Sequence, residues 1–252
     1  MTGSILDTTT SRHSSDHARR LDPELTFEDV LRGLQASVAE WLSENPTPRV
    51  LDAGCGGRMH LNLGADAYVV GIDVSAEQLE RNATLSERIL GDIQTVRLDP
   101  ESFDLVVCWD VLEHLRYPRR ALENLRQALR PGGLLIIGGP NTLSLKGLAT
   151  WMTPFCVHRA WYRWSHRKSP GIRPFKTYRR LAATPRRINT WTKRQQLITD
   201  YFVAYESPMQ LEIRYRLGLT GRLWSVIQKV VRLATRGRLD LTATDFMLVV
   251  RR

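Results

Sequence analysis

Four residues with usable chemistry stand close together early in the chain. Asp52, Gly54 and Gly56 lie in VLDAGCGG, and Asp73 closes the apolar run of AYVVGIDVS. Glycines directly after a short apolar run let the backbone turn tightly and approach a ligand where a side chain would stand in the way. Asp73 follows Gly54 by nineteen residues. A carboxylate there, at the end of the next apolar run, can accept both hydroxyls of a ribose. Each feature alone has a plain explanation, a turn or a helix-capping Asp; in this order they point to a nucleoside-bearing ligand. The spacing is not a dinucleotide fingerprint, which would place a third glycine where Met59 stands. A second group, Asp110, Glu113 and His114 in DVLEH, brings together two acids and an imidazole. Those are the materials of a general base or of a divalent-metal site. The alternative is that Glu113 and His114 only begin a helix.

The elements that must position these residues are legible as a rhythm. RVLDAG, AYVVGIDVS, ERILGDI, FDLVVCWD and GLLIIGGPN read as five strands, with helical stretches in SAEQLERNAT and PRRALENLRQALR. Continuous apolar strands alternating with helices predict a parallel sheet covered on both faces. YFVAYES and DFMLVVRR read as a closing pair of strands. Ahead of the sheet, TFEDVLRGLQASVAEWL predicts a helix with Thr26 and Asp29 as a capping pair and Pro46 and Pro48 as its stop. Residues 1–22 read as a flexible tail, and 23–252 as one domain carrying two insertions, at about 142–192 and about 215–238.

VLDAGCGG, VVGIDVS, GDI, FDLVVCWDVLEHL and LRPGGLLII occur in the order of the motifs of class I S-adenosylmethionine-dependent methyltransferases, and residues 48–141 resemble that family, of the small-molecule or lipid type. The resemblance implies a three-layer α/β/α sandwich around a Rossmann-like, mostly parallel seven-stranded sheet with an antiparallel last strand. It implies S-adenosyl-L-methionine as cofactor. Gly54, Cys55 and Gly56 would form the loop beside the methionine part, with Asp52 beneath it. Asp73 would hold the ribose and Val74 would lie against the adenine. Asp92 would accept from the adenine amine, Ile93 would wall the ring, and Trp109 would stand near the methyl end. His114 is then the candidate general base. In small-RNA 2′-O-methyltransferases a similar acid-x-x-Glu-His pattern binds a divalent ion with help from a further histidine region; the corresponding RRINTWTKRQQ here has no His, so no metal is expected. GRMHLNLGADA, between the first two strands, carries little helical pattern and predicts an abbreviated first helix.

The charge is uneven. The chain carries a formal net charge of +10, which suggests an anionic partner. After Glu123 the next acid is Asp200, with fifteen Lys and Arg between them. In TWMTPFCVHRAWYRWSHRKSPGIRPFKTYRR the bases interleave with Trp151, Trp161, Tyr162 and Trp164. Placed after the fifth strand, this stretch is expected to cover the acceptor, with His158 and His166 within reach of it. Gly221–Arg236 forms a basic amphipathic helix on a helical wheel. It either docks on the domain or lies on an anionic bilayer. No apolar signal core and no run of about 18–20 apolar residues is present, and the three cysteines lack metal spacing. The expected location is cytoplasmic, peripheral on the inner face of the membrane. The acceptor is expected to be a small or lipid-linked molecule methylated on oxygen. An RNA acceptor, less expected because no RNA-binding module is recognisable, and a non-catalytic cofactor-binding or membrane-docking module remain as alternatives.

Overall fold

The computed structural model describes residues 26–141, 144, 177–178, 180–237, 239 and 241–252. The tail at 1–22 and the expected acceptor-covering residues Trp151, His158, Trp161, Tyr162 and Trp164 lie outside them. Seven strands form one sheet: β1 Arg49–Ala53, β2 Tyr68–Asp73, β3 Glu87–Leu90, β4 Phe103–Trp109, β5 Leu129–Pro140, β6 Ile198–Tyr205 and β7 Asp245–Arg251. Their order is β3-β2-β1-β4-β5-β7-β6. The pairs among β1 to β5 are parallel; β7 runs antiparallel to both β5 and β6. The order reverses between β1 and β4, the switch point where open α/β sheets leave a crevice beyond the carboxyl ends of their strands.

Two apolar layers make this a three-layer sandwich. On one face α1 (Phe27–Glu44) and α2 (Ala76–Arg81) pack through Val30, Leu34, Val38, Trp41 and Leu79. On the other lie α3 (Pro118–Ala128) and α4 (Pro185–Arg194), through Ala121, Leu122, Leu125 and Ile188. Burying each such aliphatic side chain is worth roughly 1.5–3 kcal/mol, and β1, β2 and β4 are buried almost throughout. The start of α1 is the expected capping box: Thr26 Oγ1 accepts from Asp29 N and the Asp29 carboxylate accepts from Thr26 N.

Two stretches differ from their expectation. No helix forms between β1 and β2. Leu61 and Leu63 are buried and Met59 partly so, an alternation of period two that suits extended chain and not a helix. Gln35 of α1 fastens this segment by accepting from Asn62 N (2.9 Å) and donating to Asn62 O (2.8 Å). Within the expected insertion at about 142–192, residues from Leu181 to Arg194 form a short 3-10 turn and α4, and Ala183 and Ile188 enter the core. That part is a covering layer of the sheet. The insertion at about 215–238 holds α6 (Gly221–Ala234), and the helical hairpin it belongs to begins ahead of those bounds with α5 (Pro208–Arg216).

Candidate cofactor and acceptor site

A pocket of about 720 Å³ opens at the carboxyl ends of β1, β2 and β4, within the ~300–1,000 Å³ typical of small-molecule sites. Asp52, Gly54, Cys55, Gly56, Asp73, Val74, Asp92, Ile93, Trp109 and His114 all line it, as do Asp110 and Tyr178.

The glycine loop is held by backbone bonds. Gly54 N and Cys55 N both donate to Ile72 O, at 2.7 and 3.1 Å. Gly54 has φ +75° and Gly56 φ +52°, the left-handed region that favours glycine. A Cβ on Gly54 would lie 2.5 Å from Val111 Cγ2, whereas one on Gly56 would meet nothing within 4 Å. Gly54→Ala is therefore expected to destabilise the fold by about 2–5 kcal/mol, combining left-handed strain with overpacking, and Gly56→Ala by only about 1–2. Urea unfolding of the two variants side by side checks this; equal losses would refute the close approach of Val111.

The Asp73 carboxylate spans the loop. Its Oδ2 accepts from Gly56 N at 3.0 Å and its Oδ1 from Ser75 N at 2.8 Å. Asp52 is buried beside it. Burial, and then the charge of Asp73, pushes the Asp52 carboxyl up to about 7. Among the described residues no donor meets that carboxylate. Burial likewise raises the Cys55 thiol to about 12, with Asp52 and Asp73 adding to it.

Three neutral amides, not singled out in the sequence, lock the loops. Asn82, fully buried, donates to the carbonyls of Cys55 and Gly56 at 3.3 and 3.4 Å. Asn124 of α3 donates to Ile93 O and Val96 O at 3.0 and 2.8 Å. Gln94 donates to both Asp92 oxygens and accepts from Tyr117 N at 2.7 Å, tying the loop after β3 to the start of α3. Buried Ile93 and exposed Val74 give the pocket apolar surfaces.

The far side of the pocket follows β4. Trp109 lies 5.0 Å from the His60 ring and 6.2 Å, edge-on, from Phe27. Asp110 adopts φ +55° and donates its N–H to Gly138 O; a non-glycine residue held there is a strained position of the kind found at functional sites. Leu112–His114 form a 3-10 turn rather than the start of an α-helix. His114 Nε2 lies 3.7 Å from Glu113 Oε1. Tyr178 N donates to Glu113 O at 2.8 Å, so the chain returning from the aromatic segment is fastened beside His114. Among the described residues no group of three His, Cys, Asp or Glu could hold a metal ion. His60 lines the pocket as well; burial, and then Arg58, holds its imidazole below the usual histidine pKa. Its place in the short segment after the glycine loop was the one signal the sequence offered. Arg116 and Arg120 flank Tyr117 at the rim, 5.5 and 4.8 Å from its ring.

A Rossmann-like α/β/α domain with a glycine loop and acidic strand ends around one pocket defines a nucleoside-cofactor-binding protein. Residues 51–137 match the family model described as a methyltransferase domain, and that stretch of the chain is similar to class I S-adenosylmethionine-dependent methyltransferases. It is 35% identical over 136 residues to a ubiquinone biosynthesis O-methyltransferase of Paraburkholderia phymatum, covering 47% of this chain and 57% of that one. It is also 35% identical over 141 residues to an uncharacterized 37.1 kDa transposon protein of Streptomyces fradiae, covering 52% and 41%. The chain thus spans about two fifths to three fifths of these curated relatives. Among solved structures, the [4+2]-cyclase SpnF shares the fold at 15% identity and a TM-score of 0.51, over 91% of this chain and 84% of that one. A cyclase on this fold leaves the chemistry to be argued from the site.

The family cofactor is S-adenosyl-L-methionine, and the residues fit it. The buried Asp52 carboxylate without a donor suits an ammonium group, and the open space over Gly56 leaves the loop accessible to a ligand.

Proposed function

We propose that this chain is a methyltransferase that methylates an oxygen of a small or lipid-linked acceptor. The observation that carries the reading is one pocket lined both by the glycine loop with Asp52 and Asp73 and by Trp109, His60 and His114. Asp52 would meet the amino group of the methionine part and Asp73 the ribose hydroxyls. Val74 and Ile93 would enclose the adenine, with Asp92 at its edge. When bound, the cofactor supplies an electrophilic methyl group on sulfur that an acceptor lone pair takes in line. The protein aligns the acceptor and keeps water away. Trp109 lines the pocket beside His60, and Arg58, Arg116 and Arg120 favour an anionic group at the rim.

An alcohol or phenol acceptor carries a proton that a base must take. His114 is assigned that role. It borders the pocket, and Glu113 beside it favours the imidazolium formed on proton transfer. General-base catalysis contributes about 10²–10⁴-fold. His114→Gln is thus expected to lower kcat about a hundredfold or more while leaving cofactor affinity within about twofold. Unchanged kcat would remove His114 from the chemistry. His60, held neutral by burial and by Arg58, is the second candidate, and His60→Gln measured in parallel separates the two.

The test of the function is incubation of labelled cofactor with fractionated host extract. Label in lipid or small-molecule fractions supports the reading. Label that vanishes on ribonuclease treatment would establish an RNA acceptor instead. Cofactor binding without incorporation into any fraction would establish a non-catalytic module.

A further inference from the structure

We propose that the α5–α6 hairpin is a docking element for an anionic lipid surface and holds the pocket's open edge toward the bilayer. None of the fourteen residues of α6 is buried. Around the helix three sectors follow one another. Trp224, Ile227 and Val231 are half-buried and turn toward the protein. Leu223, Val226, Val230 and Leu233 form a second, apolar stripe that is 55–78% exposed. Arg222, Lys229 and Arg232 fill the third sector beside it, and Arg236 follows just past the helix end. Met209, Ile213 and Leu217, spaced four apart along α5 and its end, extend the exposed apolar surface.

The hairpin is held in place. Arg214 bonds both oxygens of the buried Glu206 carboxylate at 3.0 Å and donates to Leu219 O at 2.9 Å. Its guanidinium lies 4.9 Å from the Trp224 ring centre. The outward stripe is therefore fixed in orientation, not the face of a loose helix.

The sheet aims it. Tyr205, the last residue of β6, pairs with Asp245, which pairs with Pro140 at the end of β5. β6 thus runs with β5, and the hairpin leaves the same carboxyl edge at which the pocket opens.

The chemistry selects the occupant. An interfacial helix buries an aliphatic face at headgroup depth and sets basic residues against anionic lipid. From Ile213 to Leu239 the chain has seven Arg and Lys and no acid. A second copy meeting this face would bring like basic sectors together within an already strongly cationic pair. A nucleic acid would be met by aliphatic groups where stacking aromatics are wanted.

Docking rests on the hairpin alone; only its purpose, delivery of a lipid-linked acceptor, rests on the reading above. The full chain is sedimented with vesicles of phosphatidylcholine alone and with about a third of phosphatidylglycerol, with no cofactor present. Binding is expected only to the anionic vesicles and to fall as salt is raised. Leu223→Glu with Val230→Glu, both exposed and so compatible with folding, is expected to reduce binding at least about a hundredfold, and Lys229→Glu about fivefold. Cofactor affinity should stay unchanged in both variants, which keeps this test separate from that of the methyltransferase reading. Equal binding to neutral vesicles, no binding to either, or a double variant that binds like the parent would overturn the proposal. So would a concentration-dependent dimer that the double variant abolishes, since the face would then belong to a second copy.

Discussion

Asp73→Ala is expected to weaken S-adenosylmethionine binding by at least about a hundredfold. The carboxylate stands at the end of β2 and is already oriented by Gly56 N and Ser75 N. Two ribose hydroxyls donating to it would each form a charge-assisted bond worth about 1.5–3 kcal/mol. At about 1.4 kcal/mol per tenfold in affinity, losing both costs two orders of magnitude or more. Alanine also leaves Gly56 N without its acceptor, so the loop itself loosens. Asp73→Asn keeps an acceptor and should fall between parent and alanine variant. Titration calorimetry checks the series, and circular dichroism with thermal melting shows that each variant is folded. Unchanged affinity of a folded Asp73→Ala would contradict the placement of the cofactor in this pocket.

The second large effect concerns Asp52 and has opposite signs for stability and for binding. Burial, and then Asp73, raise its pKa from 3.8 to about 7. A carboxyl with a raised pKa in the fold contributes stability that is fully present at acid pH, below its unfolded value, and is lost as pH rises through about 7. Three units at about 1.36 kcal/mol each put the ceiling of that loss near 4 kcal/mol. Asp52→Asn carries no charge to bury. Its ligand-free Tm at pH 8 is expected to exceed that of the parent by up to about 16 °C, at about 2–4 °C per kcal/mol, with little difference near pH 4. Cofactor binding should respond the other way, because an ammonium partner requires the ionised carboxylate. Parent affinity rises with pH through about 7, and the variant binds at least about tenfold more weakly at pH 8 with a flat profile. Melting curves and calorimetry at pH 4 to 8 read both. A parent affinity constant between pH 6 and 8 would exclude Asp52 from contact with the amino group. The site thus holds a destabilised group ready for its ligand, a trade of stability for function.

Much of this site was legible because its parts are local. β1, β2 and β4 are apolar runs closed or directly followed by Gly54, Asp73 and Asp110, so one pattern marks both strand and ligand edge. Asn82, Gln94 and Asn124 were not legible. Each acts by donating or accepting across loops far apart in sequence, and a neutral amide has no pattern that betrays such a partner. PRRINTWTKR read as part of an insertion because it does not follow the strand–helix rhythm of the core, yet Ile188 and Thr192 are enough to seat it as α4. The periodicity of α6 defined its faces correctly. What covers a face is a tertiary fact, and the wheel is the same for a docked helix and an uncovered one.

The position of β7 bears on the order in which the fold can be assembled. It lies between β5 and β6 yet is the last described strand in sequence. Chains leave the ribosome N-terminal end first at about 5–20 residues per second. β1 to β5 can therefore pair while β6, α5 and α6 are synthesised with no place in the sheet to join. For an interval on the order of seconds, β5 and β6 each present an unpaired edge. Asp245–Arg251 then close both gaps at once, since the same seven residues form the β5–β7 and β6–β7 ladders. A chain with this topology is most exposed to aggregation just before synthesis reaches β7.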